Sequence, residues 1–316
     1  MRIVFFGSPT AALPTFRALL DAGHSIELVV TQPDKPAGRG RKLTPSPVKS
    51  LAQERGIPVI EPLRVRTDEK ALERVRAARP DVNVVVAYGQ IIPHDLHYFP
   101  RFHSLNVHFS LLPKYRGAAP VQWAVLNGDA ESGVTIIELD DRMDEGDILA
   151  QSRVAVGPRE SAPALETRLA ALGAGLLVST LARIGDIPRL KQDDAQATLA
   201  PKIRKEDGRL SWTDAAGAID RKVLALAERP GVFTFLKGKR VGLLGGRALG
   251  PEEISRGAGP ASPGAVVETG RAGLVVACGG GTAYLIEELQ PEGKAAMSAH
   301  AFSLGTKIAP GDILGI

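Results

Sequence analysis

The sequence predicts an α/β chain. A parallel-sheet domain covers residues 1–187, a linker 188–205, and a small β-barrel of the oligonucleotide-binding kind 206–316. Three observations predict it. Strand-length apolar runs alternate with helical patterns through the first half, as in a parallel sheet covered on both faces. A polar stretch without periodicity then runs from about Asp186 to Lys205, as interdomain linkers do. Beyond it lie five short strand-like runs punctuated by glycine, which suggest a small barrel.

The elements follow in order. Arg2 to Phe6 is an apolar run ending at Gly7-Ser8-Pro9. Leu13, Phe16, Leu19 and Leu20 then mark one face of a helix that Gly23 stops. Ile26 to Thr31 reads as the second strand. Ser46-Pro47 opens a helix as N-cap and first-turn proline, and Gly56 closes it. Val82 to Ala87, Ser104 to Val107 and Val134 to Leu139 supply further buried strands. Leu165, Leu169, Leu172 and Leu176 have the spacing of an amphipathic helix on the sheet. After the linker, Ile219, Val223 and Leu226 mark a helix. The barrel strands are read at 232–236, 240–244, 264–267, 273–277 and 282–285.

Composition narrows the function classes. At 316 residues the length suits roughly two domains of about 150 residues. Hydrophobic residues at 44% allow a sizeable core, so no disulfide or metal is needed to stabilise it. A single cysteine, Cys278, points to a reducing cytoplasm, and the start shows no signal-peptide pattern. No apolar run approaches a membrane span, so no membrane partner is expected. The net charge of +4 allows a polyanionic partner without requiring one.

Several motifs are weighed and set aside. GSPTAA follows the first strand where G-x-G-x-x-G would cradle a pyrophosphate, and its spacing argues against a nicotinamide or flavin enzyme. His94 and His97 lack further convergent metal ligands and read as surface histidines. In the acidic run from Asp140 to Asp147, Gly146 is misplaced for a calcium loop, leaving a solvated loop or a catalytic carboxylate. Residues 33–49 form a long loop carrying Lys35, Arg39, Arg41, Lys42 and Lys49. It is either a solvated loop or a basic loop that meets phosphates.

The chemistry concentrates in Asn106-Val107-His108. Residues two apart on a strand face the same way, so the amide and the imidazole share one side at the strand's end. An amide donor beside an imidazole suits a developing oxyanion and a proton shuttle, and a carboxylate such as Asp144 can orient the imidazole. Spacing alone gives no more than these three groups near a strand end.

The run NVHFSLLPKYRGAAPVQWAVLNGDAESGVTII, followed by MDEGDIL, resembles the folate-dependent formyltransferases. TQPDKPAGRGRKLTPSPVK, VVVAYGQIIP and LQPEGKAAMSA extend the resemblance over both domains and the linker. It implies a Rossmann-like formyltransferase domain followed by an oligonucleotide-binding-like barrel. The implied donor is 10-formyltetrahydrofolate, with tetrahydrofolate as product and no metal. The implied acceptor is the α-amine of methionine esterified to initiator tRNA, in translation initiation. Asn106, His108 and Asp144 map to the catalytic positions, and Ser110, Leu111, Leu112 and Pro113 to the folate-contacting stretch. Backbone around Tyr88 to Gln90 and the Asp140 to Asp144 loop completes the pterin pocket. Arg39, Arg41 and Lys42 map to a tRNA-approaching insert, with the barrel, approached by Lys202, Arg204 and Lys205, as a second surface. A monomer is expected. Two departures bear on the donor pocket: Phe109 stands where a small residue is usual, and Arg142-Met143 where glycine-leucine is common. Rival readings are a formyltransferase with a small amine acceptor, a hydrolase of the same donor, and a silent RNA-binding module.

Overall fold

The computed structural model describes residues 1–37, 42–253 and 261–315. It divides into two units. The first comprises Met1–Val121, Ala130–Val156 and Ala164–Pro201, the second Gln122–Asp129, Gly157–Pro163 and Lys202–Ile316.

In the first unit, β1 (Arg2–Gly7), β2 (Ser25–Val30), β3 (Val59–Ile60), β4 (Val82–Val86), β5 (Ser104–His108), β6 (Glu131–Glu138) and β7 (Ile148–Ala155) form one sheet. Its order is β7-β6-β5-β4-β1-β2-β3. β1 to β5 are parallel, as the strand–helix alternation requires. β6 corrects the parallel expectation, because it runs antiparallel to both neighbours. α5 (Pro120–Asn127) is the helix between β5 and β6. β7, which the sequence reading missed, is the return strand of a hairpin; alternate exposure along it weakened its apolar signal.

Alternation along β1 splits its side chains between two cores. Val4 and Phe6 join Leu28, Val30, Val85 and Tyr88 on one face, under Leu72 and Val75 of α3 (Glu69–Ala77). On the other face Phe5 meets Phe16 of α1 (Leu13–Asp21) edge to face at 5.1 Å. Burying each such ring stabilises the fold by about 1.5–3 kcal/mol. In α2 (Pro47–Glu54) the Ser46 hydroxyl accepts from the Lys49 N–H at 3.1 Å, the cap the sequence predicts.

The 20-residue α6 (Ala162–Leu181), which holds an 18-residue window of mean hydropathy 1.3, corrects the expectation that no apolar run approaches a membrane span. Leu165 and Leu169 are buried as expected, but Leu172 and Leu176 are only half-buried. The stripe turns instead through Ala170, Ala174, Leu177 and Leu181. Gly173 sets this contact: a Cβ there would stand 2.7 Å from Val107 Cγ1, so only glycine lets helix and sheet approach so closely. This is the packing of a core helix.

In the second unit, α7 (Ala216–Ala225) buries Ile219 and Val223, and Leu226 follows it inward. β8 (Val232–Leu236), β9 (Lys239–Ala248), β10 (Val266–Gly270), β11 (Gly273–Ala277) and β12 (Ala283–Pro291) form an antiparallel sheet in the order β8-β9-β12-β11-β10. Both edges are covered by the tail of the chain. Leu314 N–H donates to Gly264 O at 2.8 Å and Gly315 N–H to Phe235 O at 2.7 Å, so the last residues bridge the two edge strands and close the barrel.

Candidate active site

Asn106 and His108 lie on β5, with His108 its last residue. The loop between β6 and β7 folds back over them and delivers Asp144 in the left-handed region, at φ 57°. One carboxylate oxygen meets both partners: Asn106 Nδ2 donates to Asp144 Oδ1 at 3.3 Å, and His108 Nδ1 stands 3.6 Å from the same atom. The second oxygen, Oδ2, accepts from the Gly117 N–H at 2.8 Å. The far side of the imidazole is also tied, with His108 Nε2 2.9 Å from the Tyr115 carbonyl oxygen. A carbonyl only accepts, so Nε2 carries hydrogen and Nδ1 is the edge turned to Asp144. His108 is buried and Asn106 half-buried. The loop can close this tightly because Gly146 has no side chain; a Cβ there would overlap the Glu138 carbonyl oxygen.

The stretch Ser110 to Pro113 forms a hydrogen-bonded ridge beside the trio. Thr135 of β6 donates to Ser110 O at 2.7 Å and accepts from Leu112 N–H at 3.1 Å, while Gln151 of β7 donates to Leu112 O at 2.7 Å. Ser110 and Leu112 are buried, and Leu111 and Pro113 half-buried. Around Tyr88–Gln90, Gln32 donates to Tyr88 O at 2.7 Å, and the Gln90 amide ties Val65 N–H to Pro62 O. Gln32, Gly89 and Gln90 line a surface cavity of about 380 Å³, which does not include the trio. Phe109 is buried and lies toward Gly173 of α6, whereas Arg142 and Met143 are exposed, with Arg142 paired to Glu145 at 2.6 Å. Among the described residues no group of three or more His, Cys, Asp or Glu is placed to hold a metal ion.

Comparison with known proteins turns this geometry into a family. A formyl transferase model matches residues 1–181, and the model of the formyl transferase C-terminal domain matches 202–307. The chain belongs to the formyl transferase family. A curated methionyl-tRNA formyltransferase of Geotalea uraniireducens (strain Rf4) is 44% identical over 317 residues, covering 100% of this chain and 98% of its own. A second, from Geobacter sulfurreducens, is 42% identical over 100% of this chain and 97% of its own. Among solved structures, the N-formyltransferase from Helicobacter canadensis, in complex with folinic acid and dTDP-3-aminofucose, aligns with a TM-score of 0.64 at 17% identity, over 92% of this chain and 98% of that one. HypX from Aquifex aeolicus, in complex with tetrahydrofolic acid, aligns at 0.61 and 18% identity over 96% of this chain and 47% of its own, so this chain spans about half of HypX. At such identity these structures establish a shared fold.

The remaining predicted residues of this formyl transferase fall elsewhere. Arg39 and Arg41 lie outside the described residues, as does the Lys42 side chain. Lys202, Arg204 and Lys205 are exposed in the second unit. His94 sits at the surface against Asp141 at 2.8 Å, but His97 corrects the surface reading. It is only 5% exposed, because α4 (His94–Tyr98) turns it inward beside Leu96. Burial holds its pKa below the usual histidine value. The residues that brace the site were not singled out from sequence: Thr135 and Gln151, which hold the 110–113 ridge, the buried Arg116, and Gln192, which reaches the Asp144 carbonyl. A clue to Arg116 is its place within the KYRGAAP run; Gln192 offers none beyond being polar among polar residues.

Proposed function

We propose that this chain transfers the formyl group of 10-formyltetrahydrofolate to the α-amine of initiator methionyl-tRNA, giving N-formylmethionyl-tRNA for translation initiation. The observation that carries the chemistry is the sharing of Asp144 Oδ1 between the Asn106 amide and His108 Nδ1. Likeness to methionyl-tRNA formyltransferases at 42–44% identity over essentially the whole chain supports the acceptor. We assign Asn106, His108 and Asp144 the catalytic roles and Ser110, Leu111, Leu112 and Pro113 the donor contacts. Arg39, Arg41 and Lys42, with the 206–316 barrel, meet the tRNA. The protein acts as a monomer in the cytoplasm.

The donor set suits a formyl carbonyl. An amide nitrogen carries two N–H groups, and Asn106 directs one at Asp144, so the other serves the formyl oxygen. When bound, 10-formyltetrahydrofolate supplies an electrophilic formyl carbon and N10 as the leaving nitrogen. An α-amino group titrates at roughly 7.7–8.0, so near neutral pH a fair fraction attacks without further activation. Asn106 stabilises the formyl oxygen as it gains charge; losing one such donor costs about 10²–10³ in turnover. His108 takes the surplus proton at Nδ1, the edge its Tyr115 contact leaves for the task, and passes it toward the leaving nitrogen. Asp144 stabilises the imidazolium meanwhile. No covalent enzyme intermediate is needed. Alanine substitution at Asn106 and at His108, assayed for formyl transfer, tests the assignment; near-wild-type turnover in either variant removes it.

A further inference from the structure

We infer that Gln192 is a positioning residue, whose amide holds the Asp144 loop in its working conformation. The inference rests on the catalytic reading of Asp144 given above. Gln192 Nε2 donates to the carbonyl oxygens of Asp144, at 2.7 Å, and of Gly146, at 2.8 Å. Its Oε1 accepts from Arg116 Nε at 3.0 Å. These bonds fix the amide's orientation by chemistry: a guanidinium only donates, so the oxygen must face Arg116 and both amide hydrogens must face the loop.

Arg116 is itself held. It is 6% exposed, its Nη2 donates to Asp194 Oδ1 at 2.7 Å, and its Nη1 lies 3.7 Å from Glu145 Oε1. Backbone pairing seats the Gln192 segment on the same unit, with Arg116 N–H donating to Thr198 O at 2.8 Å and Leu199–Ala200 running parallel to Arg116–Gly117. Gly117, the next residue, gives its N–H to Asp144 Oδ2. One short segment thus fixes the carboxylate from one side and, through Gln192, its main chain from the other. The loop needs such restraint because φ 57° puts a non-glycine residue in the disfavoured left-handed region. Released, Asp144 relaxes away from the oxygen position shared by Asn106 and His108.

The test is a double-mutant cycle on the full chain, with kcat and KM measured for donor and acceptor. Gln192→Glu keeps the side-chain shape and the Arg116 partner but turns two donors into acceptors. The expected result is a kcat lower by roughly 10–100-fold, the scale of an ångström-level misplacement, with both KM values within about twofold of wild type. In an Asp144→Ala background the same substitution should have no further effect on kcat, since it acts only through Asp144. A Gln192→Glu protein with wild-type kcat, a loss carried in KM, or an effect that multiplies with Asp144→Ala overturns the inference. Asp144→Ala alone with near-wild-type turnover overturns instead the reading of the site. If Gln192→Glu does not fold by circular dichroism, Gln192→Met, which keeps the volume and removes all three bonds, is read against the same outcomes.

Discussion

The imidazole of His108 is pinned at Nε2, 2.9 Å from the Tyr115 carbonyl oxygen, and presents Nδ1 to Asp144 at 3.6 Å. Neutral His108 is therefore the tautomer protonated at Nε2. Nitrogen-15 NMR of labelled protein should show a proton on Nε2 and a bare Nδ1 in the neutral form. The opposite tautomer would leave no proton acceptor facing Asp144 and would remove His108 as the shuttle.

In the proposed mechanism Asn106 is a neutral donor, so shape is not enough at this position. Asn106→Asp keeps the outline and sets a carboxylate against Asp144. Turnover should fall at least as far as in Asn106→Ala, by about 10²–10³. An aspartate variant that works better than the alanine one would argue against oxyanion stabilisation here.

Gly146 should tolerate no side chain. Gly146→Ala forces the 139–147 loop off the Glu138 carbonyl, an overpacking that costs about 1–3 kcal/mol. Denaturant melts should report that loss together with reduced turnover, because the shifted loop carries Asp144. Wild-type values for both would mean the loop accommodates the methyl group freely.

His97 makes the fold acid-sensitive. Burial lowers its pKa in the folded state, so the unfolded chain takes up a proton there first as pH falls. Stability should be full above the ordinary histidine value of about 6.5 and decline as pH drops below it toward the folded pKa. His97→Gln should flatten this part of the stability–pH curve. Equal slopes in wild type and His97→Gln would contradict the assignment.

Cys278 should be inert. It is 3% exposed, and burial pushes its thiol up to about 12, so little thiolate forms near neutrality. A thiol reagent at pH 8 should leave the native protein unmodified and label one cysteine after unfolding. Rapid labelling of the native protein would contradict the burial.

These residues mark what the sequence made legible. The parallel strands showed because a strand buried on both faces is a run of apolar residues, as in IVFF and VNVVV. β7 and the direction of β6 did not, because β7 alternates buried with exposed residues and an apolar run carries no mark of strand direction. Asn106 and His108 could be paired by strand periodicity, with Asp144 a candidate from its acidic run that family likeness mapped to a catalytic position. Gln192 was hidden because its partners are backbone carbonyls and a guanidinium brought together by folding, across 46 to 76 residues of chain. His97 misled because its spacing from His94 suits a shared helix face, whereas on α4 only one of the two points outward.

The acceptor is decided by offering purified protein 10-formyltetrahydrofolate with either methionyl-tRNA or a free amino-sugar nucleotide. Rapid formylation of methionyl-tRNA is expected. Affinity should fall steeply as salt rises, with a shallower slope once Arg39, Arg41 and Lys42 are neutralised. The sugar nucleotide should remain unmodified. Formylation of the sugar nucleotide with methionyl-tRNA untouched would contradict the proposed acceptor.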